Sequence, residues 1–219
     1  MSKLATPAFG TVVLDVDSTV SGIEGVDWLA ERRGPEVARR VANLTAEAMR
    51  GEIPLEQVYG NRLAQIRPRR EDLDALARAY TDAIAPDAVQ TVYNLRRAGV
   101  QVLLLSGGLR NALLRLALEL DLDLGDVHAV DVRFDAVGAY IGFDEKSPLS
   151  RTTGKSTVLS GLPTARPTLM VGDGVTDLAA RSVVDKFAAY TGFVTRDPVV
   201  RQADVVLKSF TELETLVLG

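Results

Sequence analysis

Three short runs of consecutive apolar residues punctuate the chain: Val12-Val13-Leu14, Val102-Leu103-Leu104-Leu105 behind Val100-Gln101, and Leu169-Met170-Val171 behind Pro167-Thr168. Unbroken runs of this length, without polar alternation, predict strands buried on both faces, as in parallel sheets covered by helices. Two weaker runs, Phe187-Ala188-Ala189 and Val205-Val206-Leu207, add short strands. Between the first and second runs the period changes to that of helices. Helices are predicted over 28–33 and over 35–49, where Val37, Val41, Leu44 and Ala48 share a face and Pro35 suits the first turn. Two more are predicted over 55–66 and 70–83, the latter with Leu73, Leu76, Tyr80 and Ile84 at helical spacing. Pro86 begins a further helix that Gly99 closes. A leucine-rich helix is expected over 109–120, and a β-hairpin over 127–143 around Asp135-Ala136-Val137-Gly138. Ser209-Phe210-Thr211-Glu212 has the spacing of a capping box and opens a terminal helix. The fold class is α/β, a mainly parallel sheet flanked by helices.

The helices that follow the first strand, with no linker rich in Pro, Gly or Ser on either side, predict an inserted helical cap. Its bounds are taken as 23–85, within a core formed by 1–22 and 86–219.

In such sheets ligands collect beyond the carboxyl ends of the strands. The first run delivers Asp15-Val16-Asp17-Ser18-Thr19, the second Ser106-Gly107-Gly108 and the third Gly172-Asp173-Gly174-Val175-Thr176-Asp177, while Gly154-Lys155-Ser156 opens a helix between the last two. Residues i and i+2 of an extended segment point the same way, so Asp15 and Asp17 can face one point. Carboxylates are costly to bury without partners, which suggests a cation or a reaction that needs both. Taken singly, each element has a plainer explanation. The two aspartates also suit a solvated turn, and Ser106-Gly107-Gly108 a strand-to-helix turn. Lys155 by itself reads as a surface lysine, and Gly172-Asp173-Gly174 as a tight turn. Gly154-Lys155-Ser156 has the ending of a P-loop without its first glycine, since Leu149 stands five residues before Gly154. Jointly, the plain explanations require four accidents.

The chemistry that joins these residues is phosphoryl transfer through an aspartyl-phosphate. Asp15 is the candidate nucleophile and Asp17 the acid that protonates the leaving alkoxide and then activates water. Asp173 and Asp177 join Asp15, and a backbone carbonyl near Asp17, as candidate metal ligands; a hard oxygen set suits Mg²⁺. Ser106 and the backbone around Gly107 and Gly108 are expected to hold phosphoryl oxygens, and Lys155 to neutralise charge on the transferring group.

Composition narrows the classes without choosing among them. The chain has 219 residues, 47% of them hydrophobic, and a formal net charge of −4, enough for one sizeable core plus an insertion. With no cysteine there is no disulfide framework or thiol nucleophile, and with one histidine, His128 in an expected strand, there is no histidine-rich metal site. The mild acidity argues against non-specific nucleic-acid binding. Arg67, Arg69 and Arg70 are followed at once by Glu71 and Asp72, which reads as a solvated helix start. No apolar run reaches the length of a membrane span, and residues 1–7 lack the pattern of a secretory signal, so a cytoplasmic protein is expected.

The ordered set Asp15-Val16-Asp17-Ser18-Thr19, Ser106-Gly107-Gly108, Lys155 and Gly172-Asp173-Gly174-Val175-Thr176-Asp177 resembles the haloacid dehalogenase superfamily of phosphatases. Within it, the match is to the phosphoserine phosphatase family, through Val20-Ser21-Gly22-Ile23-Glu24-Gly25-Val26-Asp27, Ala48-Met49-Arg50-Gly51-Glu52-Ile53-Pro54-Leu55, Arg62-Leu63-Ala64-Gln65-Ile66 and Gly142-Phe143-Asp144-Glu145. The resemblance implies a Rossmann-like core with a helical cap. It implies Mg²⁺-dependent hydrolysis of O-phospho-L-serine, the last step of serine biosynthesis, by a monomer or homodimer with no nucleic-acid or membrane partner. It also implies that Glu24 meets the substrate's ammonium group and Arg62 its carboxylate. Met49 and Leu55 would be apolar walls, Leu55 where a phenylalanine is common, and Thr176 would lie near the phosphate and metal. Arg50 departs from a position that is often glycine. Two alternatives stay open: a phosphatase or phosphotransferase for another small phosphomonoester, and a non-catalytic module that binds a phosphorylated ligand.

Overall fold

In the computed structural model, which describes residues 6–49, 53 and 55–219, the chain opens with β1 (Thr11–Leu14) and passes through α1 (Gly25–Glu31), α2 (Pro35–Met49), α3 (Leu55–Ile66) and α4 (Arg70–Asp82). α5 (Ala88–Arg97) then leads into β2 (Gln101–Leu109), followed by α6 (Arg110–Glu119), β3 (Val127–Val130), β4 (Val132–Phe134) and β5 (Tyr140–Phe143). The last third contains α7 (Gly154–Gly161), β6 (Thr168–Gly172), α8 (Val175–Leu178), β7 (Lys186–Tyr190), α9 (Asp197–Val200), β8 (Val205–Leu207) and α10 (Phe210–Leu218).

The main sheet has the order β3-β2-β1-β6-β7-β8, and every neighbouring pair is parallel. β1 is hydrogen-bonded along both edges and fully buried, which is why its sequence is apolar without alternation. The chain goes one way from β1 to β2 and β3 and the other way to β6, β7 and β8. The crevice of such a sheet therefore opens beyond the carboxyl end of β1. Leu14 is level with Leu104 on one side and Val171 on the other, so the residues after all three strands emerge together.

Helices α2 and α3 have the predicted bounds, and α4 ends one residue before the predicted 83. Burial follows the predicted stripe: Val41, Leu73, Leu76 and Tyr80 are in the core. α1 begins at Gly25 and stops at Glu31, three residues before the predicted start and two before the predicted end of 28–33. Arg33 lies beyond it, where its guanidinium pairs with Asp72 and donates to the Ile66 carbonyl at 2.9 Å. One hydrophobic core joins the sheet to residues of α1 through α4. The two crossings between them lie side by side: Gly22 N donates to the Ala83 carbonyl at 3.0 Å and Ala85 N to the Val20 carbonyl at 2.8 Å.

Two sequence expectations need correction. β2 does not stop at Leu105 but continues through Ser106-Gly107-Gly108 to Leu109, with a register shift against β3 between Leu105 and Leu109. The Gly108 amide donates to Ser106 Oγ at 2.8 Å, and this local bond bends the strand as a bulge does. The expected hairpin over 127–143 is two different things. Val127–Val130 joins the main sheet as parallel edge strand β3, and only β4 and β5 pair antiparallel. Alternation within 127–130 is the same for either partner, so the sequence could not tell them apart. The capping spacing at Ser209 is realised: Ser209 Oγ accepts from Glu212 N at 3.1 Å, and Glu212 reaches back to Lys208 N at 2.7 Å. Among the described residues no helix is long and apolar enough to cross a membrane.

Candidate active site

Beyond β1, the amide of Asp15 donates to the Val171 carbonyl at 2.9 Å, which fixes this residue beside the end of β6. Its carboxylate is buried, and Oδ1 accepts from Lys155 Nζ at 2.5 Å. Lys155 reaches it from the first turn of α7, which packs tightly against the preceding segment: a Cβ on Gly154 would lie 2.0 Å from the Pro148 carbonyl oxygen. The same ammonium is bonded to Asp177 Oδ1. Asp177 is wholly buried, its other oxygen accepts the Gly174 amide at 2.9 Å, and a Cβ on Gly172 would come within 2.2 Å of its carboxyl carbon. Lys155 is therefore a clamp between the residue after β1 and the turn after β6. Burial disfavours its charge, but the attraction of Asp15 and then Asp177 outweighs that and raises its pKa.

Asp17 faces a different way. Its Oδ1 accepts the Tyr80 hydroxyl at 2.5 Å and the Gly25 amide at 3.1 Å. Burial, and next the Glu24 charge, push its carboxyl up to about 7, against the opposing pull of those two hydrogen bonds. Burial first and then the Asp177 charge also hold Asp15 well above the usual carboxylate range, with Lys155 working the other way. Asp173, at the end of β6, is raised to about 6 by burial and by Asp177. Its Oδ2 accepts from Arg196 Nε at 2.7 Å, and Arg196 also reaches Glu24 Oε1 at 3.2 Å. Glu24 Oε1 takes a further bond from Ser18 Oγ at 2.7 Å.

These side chains line a cavity of about 160 Å³ that also includes Tyr59, Arg62, Gly107, Leu149, Arg151 and Thr176. Arg62 donates to Asp27 Oδ1 at 3.1 Å, and its Nε is buried without a partner. Ser106 is buried next to this wall, and Gly107's carbonyl accepts the Tyr59 hydroxyl at 2.8 Å. The Gly108 amide, expected to face a phosphoryl group, is instead engaged with Ser106 Oγ; the Ser106 hydroxyl keeps its own proton to donate. Arg50 and the side chains of Met49 and Leu55 lie outside the described residues.

Carboxylate oxygens of Asp15, Asp173 and Asp177 lie within 4.8 Å of one another. The carboxylate of Asp17, from whose vicinity a backbone carbonyl was expected, is not in this cluster: it is drawn to Tyr80 and Gly25. Around the cavity Asp15, Asp17, Glu24, Asp173 and Asp177 face the cations Lys155, Arg151 and Arg196, while Arg62 is already paired with Asp27. The close cluster of Asp15, Asp173 and Asp177, all hard oxygen donors, fits a divalent cation. Arg196 is the functional residue most clearly missed by the sequence reading. It follows β7, the next strand along the sheet, and extending the carboxyl-end rule by one strand would have pointed to it. Tyr80 gave no such signal, since its spacing with Leu73 and Leu76 is that of any core position.

A family profile for haloacid dehalogenase-like hydrolases matches residues 9–184. Phosphoserine phosphatase from Bos taurus is 36% identical over 205 residues, covering 92% of this chain and 90% of that protein. Chloroplastic phosphoserine phosphatase from Arabidopsis thaliana is 34% identical over 207 residues, 92% of this chain and 70% of its own. In three dimensions, a phosphoserine phosphohydrolase-like protein from Francisella tularensis superposes with a TM-score of 0.83 over 94% of this chain and 98% of its own, at 22% identity, a likeness of fold. Matched over most of its length by both profile and relatives, the chain belongs to the haloacid dehalogenase-like hydrolases, in the branch that holds the phosphoserine phosphatases.

Proposed function

We propose that this enzyme hydrolyses O-phospho-L-serine to L-serine and phosphate through a phosphorylated Asp15, with Mg²⁺ as cofactor, as the last step of serine biosynthesis. The observation that carries the reading is the division of labour between two carboxylates two residues apart. Asp15 is bonded to the buried Lys155 ammonium, whose charge favours its carboxylate form, whereas Asp17 is bonded to neutral donors and has the Glu24 charge beside it. One suits a nucleophile and the other a proton carrier.

In the first half-reaction an Asp15 oxygen attacks phosphorus, the bond from phosphorus to the serine oxygen breaks, and the departing alkoxide takes the proton of Asp17. In the second, the Asp17 carboxylate takes a proton from water, the water oxygen attacks phosphorus, and the acyl-phosphate bond breaks to free Asp15 and phosphate. Lys155 keeps positive charge beside Asp15 throughout, and the Ser106 hydroxyl donates to a phosphoryl oxygen. Asp15 and Asp173, with Asp177 as ligand or as support and a backbone carbonyl near Asp17, would hold Mg²⁺, which supplies neutralisation of phosphoryl charge when bound. Glu24 would receive the substrate's ammonium group and Arg62 its carboxylate, through charge-assisted bonds for which a planar guanidinium is well shaped. Thr176 contributes a hydroxyl near the phosphate. Residues 23–85 would act as a cap hinged at the paired crossings, and the compartment we assign is the cytoplasm.

A phosphate-release screen over phosphoserine, phosphothreonine, phosphoethanolamine and sugar phosphates tests the reading. Phosphoserine should have the highest kcat/KM, and chelation should abolish turnover until Mg²⁺ is returned. A tenfold preference for another phosphomonoester overturns the substrate, and full activity in excess chelator overturns the metal.

A further inference from the structure

Tyr80 is wholly buried in α4, yet its hydroxyl is spent on a residue of the cavity, Asp17 Oδ1, at 2.5 Å. The position of that hydroxyl is built into the surroundings. A Cβ at residue 25 would lie 2.0 Å from the Tyr80 oxygen, so the niche for the hydroxyl exists only because residue 25 is glycine. Gly25 also supplies the second bond to the same Asp17 oxygen, through its amide at 3.1 Å. Among the described residues no hydrogen bond reaches Asp17 Oδ2. The two oxygens of this cavity-lining carboxyl group are thus unequal: one accepts two donors, and the other, 3.4 Å from where a Cβ on Gly108 would sit, accepts none among the described residues.

Resting on the reading of Asp17 as proton carrier, we infer that Tyr80 is a positioning residue that makes Oδ2 the proton-bearing oxygen and keeps it aimed into the cavity. An oxygen that already accepts two hydrogen bonds is a poor seat for a third hydrogen, and rotation about the Cβ–Cγ bond, which would exchange the oxygens, breaks both bonds at once. In the first half-reaction the proton on Oδ2 passes to the serine alkoxide; in the second, Oδ2 takes a proton from the attacking water. Tyr80 keeps its own proton in both. Its role is to fix which oxygen of Asp17 acts and where it points, a contribution that matters in proportion to the leaving group's need for a proton.

The experiment compares the first turnover, read as alcohol release in rapid quench, for phosphoserine and for p-nitrophenyl phosphate, whose leaving group needs little protonation. Reading the first turnover excludes the later hydrolysis of the intermediate. Tyr80→Phe removes one oxygen and keeps the ring; the same sample is checked by circular dichroism and thermal melting. Release from phosphoserine should fall about tenfold or more, release from p-nitrophenyl phosphate should stay within about twofold, and KM should move less than kcat. Replacing Tyr80 by 4-aminophenylalanine, which restores a donor of the same reach, should recover most of the loss. Asp17→Asn is run alongside. If Asp17→Asn discriminates between the two leaving groups and folded Tyr80→Phe does not, the inference about Tyr80 is overturned while the reading of Asp17 stands. If Asp17→Asn slows both substrates equally, the reading of Asp17 fails and the role of Tyr80 fails with it. Should Tyr80→Phe not fold, the 4-aminophenylalanine protein decides: wild-type discrimination upholds the inference, and loss of it in a folded protein overturns it.

Discussion

The two ends of the cavity are built differently. At the Asp15 end, the side chains of Lys155 and Asp15 are 5% and 8% exposed and Asp177 not at all, and all three are anchored by strand ends or by a helix start. At the Glu24 end, the side chains of Glu24, Arg196 and Asp27 are 45%, 32% and 37% exposed, and they sit on loops and on α1. Charges of the first group are held out of water, where each depends on its partner; those of the second are part-exposed, and solvent screens them. Arg62, at 13%, is the exception, nearly as buried as the residues at the Asp15 end. On the proposed mechanism, the buried end would make and break bonds and the part-exposed end would meet the rest of the substrate.

The comparison can be broken most directly at Asp15. Asp15→Asn should reduce kcat on the order of 10⁴-fold or more while far-UV circular dichroism stays unchanged, since the amide cannot form the acyl phosphate. Substantial hydrolysis by a verified sample would end the nucleophile assignment. Next comes the clamp. Lys155→Met leaves two buried carboxylates without their cation, and denaturant unfolding should show a loss of about 3–5 kcal/mol. A loss under about 1 kcal/mol would mean that this end is no more buried in effect than the other.

Arg62→Ala should cost about 2–5 kcal/mol in kcat/KM for phosphoserine and almost nothing for phosphoethanolamine, which lacks the carboxylate. Equal penalties for the two substrates would remove Arg62 from that role. Asp173 sharpens the comparison through pH. Its carboxyl moves from an ordinary 3.8 to about 6 in the folded chain, so the folded state binds its proton more tightly. Without a cation, the contribution of this group to stability should be full below about pH 4 and be lost as pH rises through 6, by up to ~3 kcal/mol, read as the difference between wild type and Asp173→Asn. Mg²⁺ should flatten that decline, and thermal melting from pH 4 to 7 with and without the ion reads both. The smallest effect belongs to exposed pairs remote from the cavity. Breaking Arg181–Asp204, whose side chains are 49% and 28% exposed, through Arg181→Ala should cost no more than about 1 kcal/mol and leave kcat unchanged.

Much of the fold was written in local pattern. Val12-Val13-Leu14 and Leu169-Met170-Val171 are apolar without alternation because both of their faces are covered, and that is a property of the residues themselves. The stripe of Leu73, Leu76 and Tyr80 and the Ser209 cap are likewise local rules obeyed locally. The order of polar residues beyond those strands brought Asp15, Asp17, Lys155, Asp173 and Asp177 into view before any coordinates did, since parallel strands must deliver their carboxyl ends to one side.

What the chain alone could not contain was the identity of partners far apart in sequence. Asp15 and Asp17 are alike as residues and two positions apart. Only the folded chain gives one to Lys155, 140 residues away, and the other to Tyr80, 63 residues away. Arg196 reached Glu24 across 172 residues and Asp173 across 23; its place after β7 points to the crevice but not to either partner. Residues 127–130 became an edge strand instead of half a hairpin for the same reason, because β2 was within reach and alternation does not name a partner. Periodicity determines which residues turn inward; which of them meet is decided by packing, where the burial of each charge selects the one neighbour that can satisfy it.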